Sequence, residues 1–309
     1  MSTPTQNQVH IDVPLTNISL AYTNDTYIAE QVFAVVPVEK QSNKYWTYDK
    51  DDWFRNNVAR RGPGSRAERA DYGISTGNYL CEVYALAKGV PDEVEMNADA
   101  QMNVLSDTTE WLTDQVLLNK EIQVASVAFG AGWSSSATPS TLWDVDTSNP
   151  IGDVTTAVKN VEQAIGRIPT NAVVGGDLWA SIKQHPDLID RIKGAAVPGN
   201  PAILNVGAVA ALFELETLLI GRAMKDTSLE GQAESRSRIW GLHMLVYYKR
   251  GSASLRTPNS AYTLTWGARQ TNRYREDQEH QDVVEVQEAF DVKQVAADAG
   301  YLIKSAASA

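Results

Sequence analysis

The sequence of 309 residues has little cysteine and a deficit of positive charge. Its single cysteine, Cys81, cannot form an intramolecular disulfide, which favours a cytosolic history over secretion. The net charge of −11 argues against a generic nucleic-acid binder, because neutralising phosphates requires clustered Lys and Arg. The first residues lack the basic and apolar regions of a signal peptide, so we expect none. A run of about 18 apolar residues is also missing, so the sequence predicts no membrane span.

Glycine and proline are absent from residues 92–129, which is the longest helix-favouring stretch of the chain. Within it, Asp107 followed three residues later by Glu110 is typical of a helix N-cap. The sequence therefore predicts a short helix near 92–100, a break, and a main helix over about 107–129, here called the spine helix. Apolar residues of its C-terminal half lie on nearly all sides, so we expect that half to be buried between two layers.

Two strand-like runs flank a basic segment in the first third of the chain. Lys44–Asp49 and Asn78–Leu86 are aromatic and partly alternating, which is typical of strands. Gly62-Pro63-Gly64 interrupts any regular structure between them. The pattern predicts an extended β-hairpin over 41–89 with the basic segment at its end. We call residues 55–66 the basic tip, because they contain no acid and four arginines: Arg55, Arg60, Arg61 and Arg66.

Residues 151–258 alternate between helix and strand patterns, which predicts a mixed α/β unit. Residues 259–309 contain strand-like runs separated by an arginine-rich turn, and we expect them to return and complete a sheet. Together these patterns predict an α+β fold.

A serine motif raises the possibility of an enzyme. Gly73-Ile74-Ser75-Thr76-Gly77 matches the nucleophile elbow of serine hydrolases, which needs a strand before it and a helix after it. A polar stretch precedes the match and a strand pattern follows it. We therefore expect a simple turn and no catalytic residue, and keep an esterase that uses Ser75 as an unfavoured alternative.

Metal and cofactor motifs are incomplete. Asp144-Val145-Asp146 begins like a calcium loop but lacks the glycine at the sixth position and the glutamate at the twelfth. A later acidic cluster has one imidazole and no second histidine at ligand spacing, so a solvated charged face is favoured. We predict no metal and no cofactor. The cluster consists of Glu276, Asp277, Glu279, His280 and Asp282.

The basic tip has an acidic counterpart at the start of the helical stretch. We hypothesise that the tip of one copy docks on this acidic segment of a neighbouring copy, with a solvated loop as the alternative. Each exposed ion pair would contribute only about 0–1 kcal/mol, but repetition over an assembly would fix the register of neighbours. The acidic residues are Asp92, Glu93, Glu95 and Asp99.

In its order of parts the chain resembles the major capsid proteins of tailed bacteriophages, which share the Hong Kong 97 capsid fold. The order is an N-terminal arm, an extended β-hairpin, a long helix, an α/β unit and returning strands. The local likenesses are spread over most of the chain, although none is diagnostic alone. They include Ala67–Ser75, Val174–Trp179, His185–Asp187, Leu219–Ala223, Trp240–His243, Tyr262–Trp266, Glu288–Val292 and Ala299–Leu302.

The resemblance implies a division into an arm (1–40), an extended loop (41–89), a peripheral domain with the spine helix (90–150), an axial domain (151–258) and strands returning to the peripheral domain (259–309). It implies hexamers and pentamers that form an icosahedral head shell around double-stranded DNA, bound without sequence specificity. Expected partners are further copies, a separate scaffolding protein, a portal and decoration proteins, with no membrane. The location would be the virion, and the host cytoplasm during assembly. An encapsulating bacterial shell of the same fold is the alternative.

Overall fold

Two five-stranded sheets and one long helix organise the chain. A computed structural model describes residues 12–48, 54, 56–71, 73–97, 103–195, 205–229, 231–250 and 259–308. The helices are α1 (Val13–Ala21), α2 (Ala29–Val32), α3 (Asp92–Asn97), α4 (Val104–Ala128), α5 (Pro150–Ile165), α6 (Gly176–Gln184), α7 (Pro186–Ala195) and α8 (Val206–Leu212), with a 3₁₀ turn at Ala297–Ala299. The strands are β1 (Ala34–Val38), β2 (Ser42–Tyr48), β3 (Ile74–Leu80), β4 (Glu82–Pro91), β5 (Ser135–Ala137), β6 (Asn171–Gly175), β7 (Thr217–Gly221), β8 (Met224–Asp226), β9 (Arg236–Arg238), β10 (Met244–Tyr247), β11 (Ala261–Trp266), β12 (Gln270–Glu276), β13 (Gln281–Gln294) and β14 (Gly300–Ile303).

The first sheet is built around the 14-residue strand β13. Strand β4 pairs antiparallel with one edge of β13, while β12 and β11 share its other edge. Strand β1 then adds parallel to β11. The sequence analysis predicted an arginine-rich turn before residue 281, and this was wrong, because residues 270–276 form β12 and place Arg273 and Arg275 on the sheet.

The spine helix is α4, and it begins earlier than predicted. Asn103 is the N-cap, and its side chain accepts the backbone N–H of Ser106 at 3.2 Å. Asp107 therefore lies in the first turn, where it faces the positive end of the helix dipole, instead of capping the helix. The 25 residues span about 37 Å at roughly 1.5 Å per residue. In the described part of the chain no helix combines the length and apolar character that a membrane crossing requires.

The two halves of the spine helix pack against different layers. Leu112 and Val116 of the N-terminal half contact Leu15 of α1 and Val284 and Val286 of β13. The C-terminal half lies between the first sheet, the second sheet and helix α2 of the same chain. The buried residues of this second cluster include Val124, Ala125, Val32, Phe33, Val173, Leu245 and Phe290. The second layer expected around this half is thus supplied within the chain.

The second sheet has the strand order β5-β14-β10-β6-β7. Helices α5 to α8 pack against it around a large apolar core that includes Trp143, Leu178 and Val246. The last segment of the chain contributes to both sheets, and its strands β11, β12 and β13 belong to the first one. Its final strand, β14, pairs with β10 and β5 of the second sheet, so the C-terminal segment closes both sheets.

Candidate intersubunit surfaces

The described part of the basic tip, residues 56–66, contains no helix or strand. Strands β2 and β3 pair antiparallel from Ser42–Leu80 to Tyr48–Ile74. Beyond them, residues 56–71 contain no strand, and Arg60, Arg61 and Arg66 are exposed and form no ion pair with any described residue. Arg55 lies outside the described residues. Three cations of the tip are therefore available to an external anion.

The stem is anchored to the first sheet at Cys81. The Cys81 side chain is fully buried in a cluster with Tyr79 and Leu264, and its backbone N–H donates to the carbonyl of Gln41 at 2.8 Å. The Leu80 N–H donates to Asp291 Oδ2 at 3.0 Å. Burial raises the pKa of the Cys81 thiol, so the group is unreactive as a nucleophile and acts by packing. These contacts fix the base of the hairpin.

The acidic segment is partly neutralised within the chain. Arg275 of β12 binds both carboxylate oxygens of Asp92, at 2.5 and 2.6 Å, and these hydrogen bonds lower the pKa of Asp92. Asp92 is thus not a free acid, in contrast to its place in the docking hypothesis. Glu93 and Glu95 are exposed on α3 and remain available. Asp99 lies outside the described residues.

Exposed apolar side chains accompany the free acids on this short helix. Met96 is 79% exposed and Val94 is 50% exposed, and no residue of α3 is buried. A helix of six residues that buries nothing obtains little stability from its own chain. Its exposed face therefore suits a contact with another surface, and it combines negative charge with apolar area.

Two ionisable residues in the middle of the spine helix are buried. Lys120 Nζ forms ion pairs with Glu288 Oε1 at 2.7 Å and Glu30 Oε1 at 3.1 Å, although only 2% of the lysine side chain is exposed. Glu121, fully buried, accepts the backbone N–H groups of Ile28 and Ala29. The sequence analysis did not single out either residue. A Lys-Glu pair within an apolar helical stretch was the available signal.

The esterase alternative lacks its geometry. Ser75 lies inside β3, paired with Thr47, and a strand continues after it where the elbow requires a helix. The structure does place Ser148 Oγ 2.9 Å from His185 Nε2, but both side chains are only 2% exposed. No substrate reaches this buried pair, so its hydrogen bond joins a loop to a helix end. Among the described residues no group of three or more His, Cys, Asp or Glu side chains is arranged for a metal ion.

Comparison with known proteins finds similarity to phage major capsid proteins. The chain is 29% identical to the major capsid protein of Pseudomonas phage JBD67, over 84% of each chain. It is 25% identical to the major capsid protein of Burkholderia phage BcepMu, over 95% of each chain. No family model matches the sequence. The resemblance to phage major capsid proteins that the sequence predicted is confirmed by these homologues.

Solved structures agree on the fold. A phage-related protein from Bordetella bronchiseptica RB50 superposes with a TM-score of 0.75 at 24% identity, covering 97% of this chain and 99% of that one. The capsid protein of cyanophage P-SCSP1u gives a TM-score of 0.60 at 11% identity, over 91% and 89%. A virus-like particle protein from Pyrococcus furiosus gives 0.55 at 11% identity, over 89% and 91%. The chain has a mixed α+β fold similar to that of phage capsid proteins.

Proposed function

We propose that this chain is the major capsid protein of a tailed phage and that its copies form the hexamers and pentamers of an icosahedral head shell around double-stranded DNA. Homology to two phage major capsid proteins over 84% and 95% of the chain carries the proposal. The chemistry agrees with a structural role, since the hydrogen bond between the Ser148 hydroxyl and the His185 ring is buried. The protein would act in the virion, after assembly in the host cytoplasm.

The basic tip and helix α3 suggest how neighbouring copies contact each other. The basic tip of one copy would lie over the acidic helix α3 of the next, pairing Arg60 and Arg61 with Glu93 and Glu95. Because donor and acceptor surfaces differ, this is a heterologous contact, which generates a ring when the rotation between copies closes. The same contact would serve rings of five and six, since an extended tip adapts to small changes in angle.

Other partners follow from the same proposal. A separate scaffolding protein would direct curvature during assembly, a portal would occupy one vertex, and decoration proteins would bind the outer surface. Packaged DNA would be enclosed without sequence-specific contacts, because a chain of net charge −11 offers phosphates little attraction.

An encapsulating shell for a protein cargo is the second candidate, and the likeness to the virus-like particle protein from Pyrococcus furiosus favours it. That likeness extends to the fold alone. Proteomics of purified phage particles and of cell lysates separates the two functions. The capsid role predicts this chain as the most abundant protein of DNA-filled heads, whereas the alternative predicts DNA-free shells that enclose an enzyme.

Assembly of the purified protein tests the proposal directly. Electron microscopy and sedimentation are expected to find rings, sheets or closed shells, with or without a co-expressed scaffolding protein. A species that stays monomeric at about the 33.8 kDa chain mass under all salt, crowding and scaffold conditions would overturn it.

A further inference from the structure

A cavity of about 500 Å³ lies where two parallel strands of the second sheet end. Strands β6 and β7 run parallel up to the pair Gly175 and Gly221. Directly after them, Gly176 begins helix α6 and Arg222 follows β7, and both residues line the cavity. The carboxyl ends of parallel strands are the usual place for ligands in α/β units, because chain segments diverge there and leave a crevice.

Positive charge dominates the cavity. Lys183, Arg222 and Arg238 line it. Arg238 Nε donates to Asp177 Oδ1 at 2.5 Å, so one of the three cations is already paired. Lys183 and Arg222 are exposed and form no ion pair with any described residue.

The walls and floor add features that suit an anion on an apolar stem. Trp179, only 4% exposed, supplies an apolar floor. Gly176 leaves room for the guanidinium of Arg238, since a Cβ atom there would lie 3.1 Å from Nη1. The N-terminus of α6 begins at the same residue, and no side chain caps it. The first backbone N–H groups of a helix have no partner within the helix, so they favour negative charge at this place.

We propose that this cavity receives an acidic side chain from a second copy of the chain, a contact that rests on the proposed function. Arg222 and Lys183 would bind the carboxylate, and Trp179 would pack against its methylene groups. The charge balance favours this occupant, because every copy carries a surplus of 11 acidic over basic residues. DNA suits the crevice less well, since a convex duplex contacts flat or grooved basic surfaces better than a small recess.

The test compares charge reversals inside and outside the cavity. Arg222→Glu is expected to reduce the assembled fraction at least tenfold in nuclease-treated protein, measured by sedimentation and electron microscopy. Arg222→Lys keeps the charge and is expected to assemble. Lys159→Glu is the matched control, because Lys159 is an exposed residue of α5 outside the cavity. Melting temperatures of the unassembled variants are expected to equal that of the wild type, because Arg222 is exposed.

The outcomes distinguish this proposal from the function on which it rests. Wild-type protein that never assembles counts against the capsid function. Wild-type particles together with normal particles from Arg222→Glu would overturn the cavity contact alone. Normal Arg222→Glu particles that no longer retain a 30-base-pair DNA duplex would likewise overturn it and reassign the cavity to phosphate. Loss of particles in Arg222→Glu but not in Lys159→Glu, without nucleic acid present, supports the contact.

Discussion

Glu121 Oε1 accepts the indole N–H of Trp240 at 2.6 Å in the interior of the protein. The same carboxylate receives the backbone N–H groups of Ile28 at 3.0 Å and Ala29 at 2.7 Å. One side chain of the spine helix thus connects the N-terminal segment to the turn before β10. Burial raises the pKa of Glu121, because removal from water disfavours the charged form, and the three donors oppose this shift only in part.

Replacing Glu121 by Gln is expected to destabilise the folded subunit by about 1–3 kcal/mol, the usual cost of leaving buried donors unsatisfied. Gln has one acceptor oxygen, and its NH₂ group would face N–H donors that now bind the second oxygen. Chemical denaturation of the unassembled subunit measures the change. Glu110→Gln is the matched control, because Glu110 is an exposed residue of the same helix. Equal stability of the two variants would contradict the connecting role of Glu121.

Lys120 presents a second test in the same helix. Lys120→Met is expected to cost about 3–5 kcal/mol, because it leaves the carboxylate of Glu288 buried without its cation. The double variant Lys120→Met with Glu288→Gln is expected to recover part of this loss, since no buried charge then lacks a partner. Urea unfolding of both single variants and the double variant measures the coupling. Strictly additive losses would show that Lys120 and Glu288 are not energetically coupled.

The sequence predicted elements whose signals are local, and it missed those that depend on distant partners. The spine helix was predicted because its stretch contains no glycine or proline and is rich in helix-favouring residues. Its N-cap was misplaced, since both Asn103 and Asp107 are good cap residues and only tertiary packing selects between them. Strand β12 was missed because its arginine-rich sequence, between two strand-like runs, was interpreted as a turn. In the structure Arg275 of this strand binds Asp92.

In the candidate site, too, the sequence could not predict contacts with distant partners, and the acidic segment is an example. The sequence analysis grouped four acids because they lie close together in the chain. Arg275 reaches Asp92 only because β12 pairs with β13, and β13 in turn pairs with β4. The cationic cavity was likewise not predicted, since Lys183, Arg222 and Arg238 come from three separate segments. Charges that are scattered in sequence converge only after the strands have paired.

His243 is expected to make the stability of the subunit depend on pH. Its Nδ1 accepts the backbone N–H of Ser305 at 2.9 Å, which requires the neutral ring, and its imidazole packs edge-on against Phe129. Burial, with a smaller effect of Lys304, lowers the pKa of His243. Between this lowered value and the unfolded value of about 6.5, the unfolded chain binds more protons than the folded one. The contribution of His243 to stability is therefore complete above about pH 6.5 and declines as the pH falls below that value.

Thermal unfolding from pH 8 to pH 5 measures this dependence. His243→Asn keeps an acceptor oxygen for Ser305 but cannot be protonated, so its melting temperature is expected to fall less than that of the wild type on acidification. His280→Asn is the control, because His280 is exposed in a turn at a φ of 47°, which Asn tolerates. Identical pH profiles for wild type and His243→Asn would refute the assignment.

The docking of the basic tip is tested by exchanging charges between the two surfaces. Arg60→Glu with Arg61→Glu is expected to prevent assembly while leaving the subunit folded, because both side chains are exposed and unpaired among the described residues. Glu93→Arg with Glu95→Arg is expected to have the same effect from the other side. Combining all four changes restores opposite charges across the contact and is expected to recover particles. Each pair alone contributes about 0–1 kcal/mol, so the recovery depends on repetition around the ring.

Salt dependence and a charge reversal elsewhere on the subunit separate this contact from general electrostatic repulsion. Arg60→Glu with Arg61→Glu makes the net charge more negative, and Lys159→Glu also adds negative charge to each copy, at a site remote from the hairpin in sequence. If repulsion between whole subunits were the cause, Lys159→Glu would impair assembly too, and high salt would rescue both variants because it screens exposed charges. A specific contact predicts that Lys159→Glu assembles normally and that only the four-residue exchange rescues the tip variant at low salt. Normal particles from the tip variant would leave the basic tip as solvated surface.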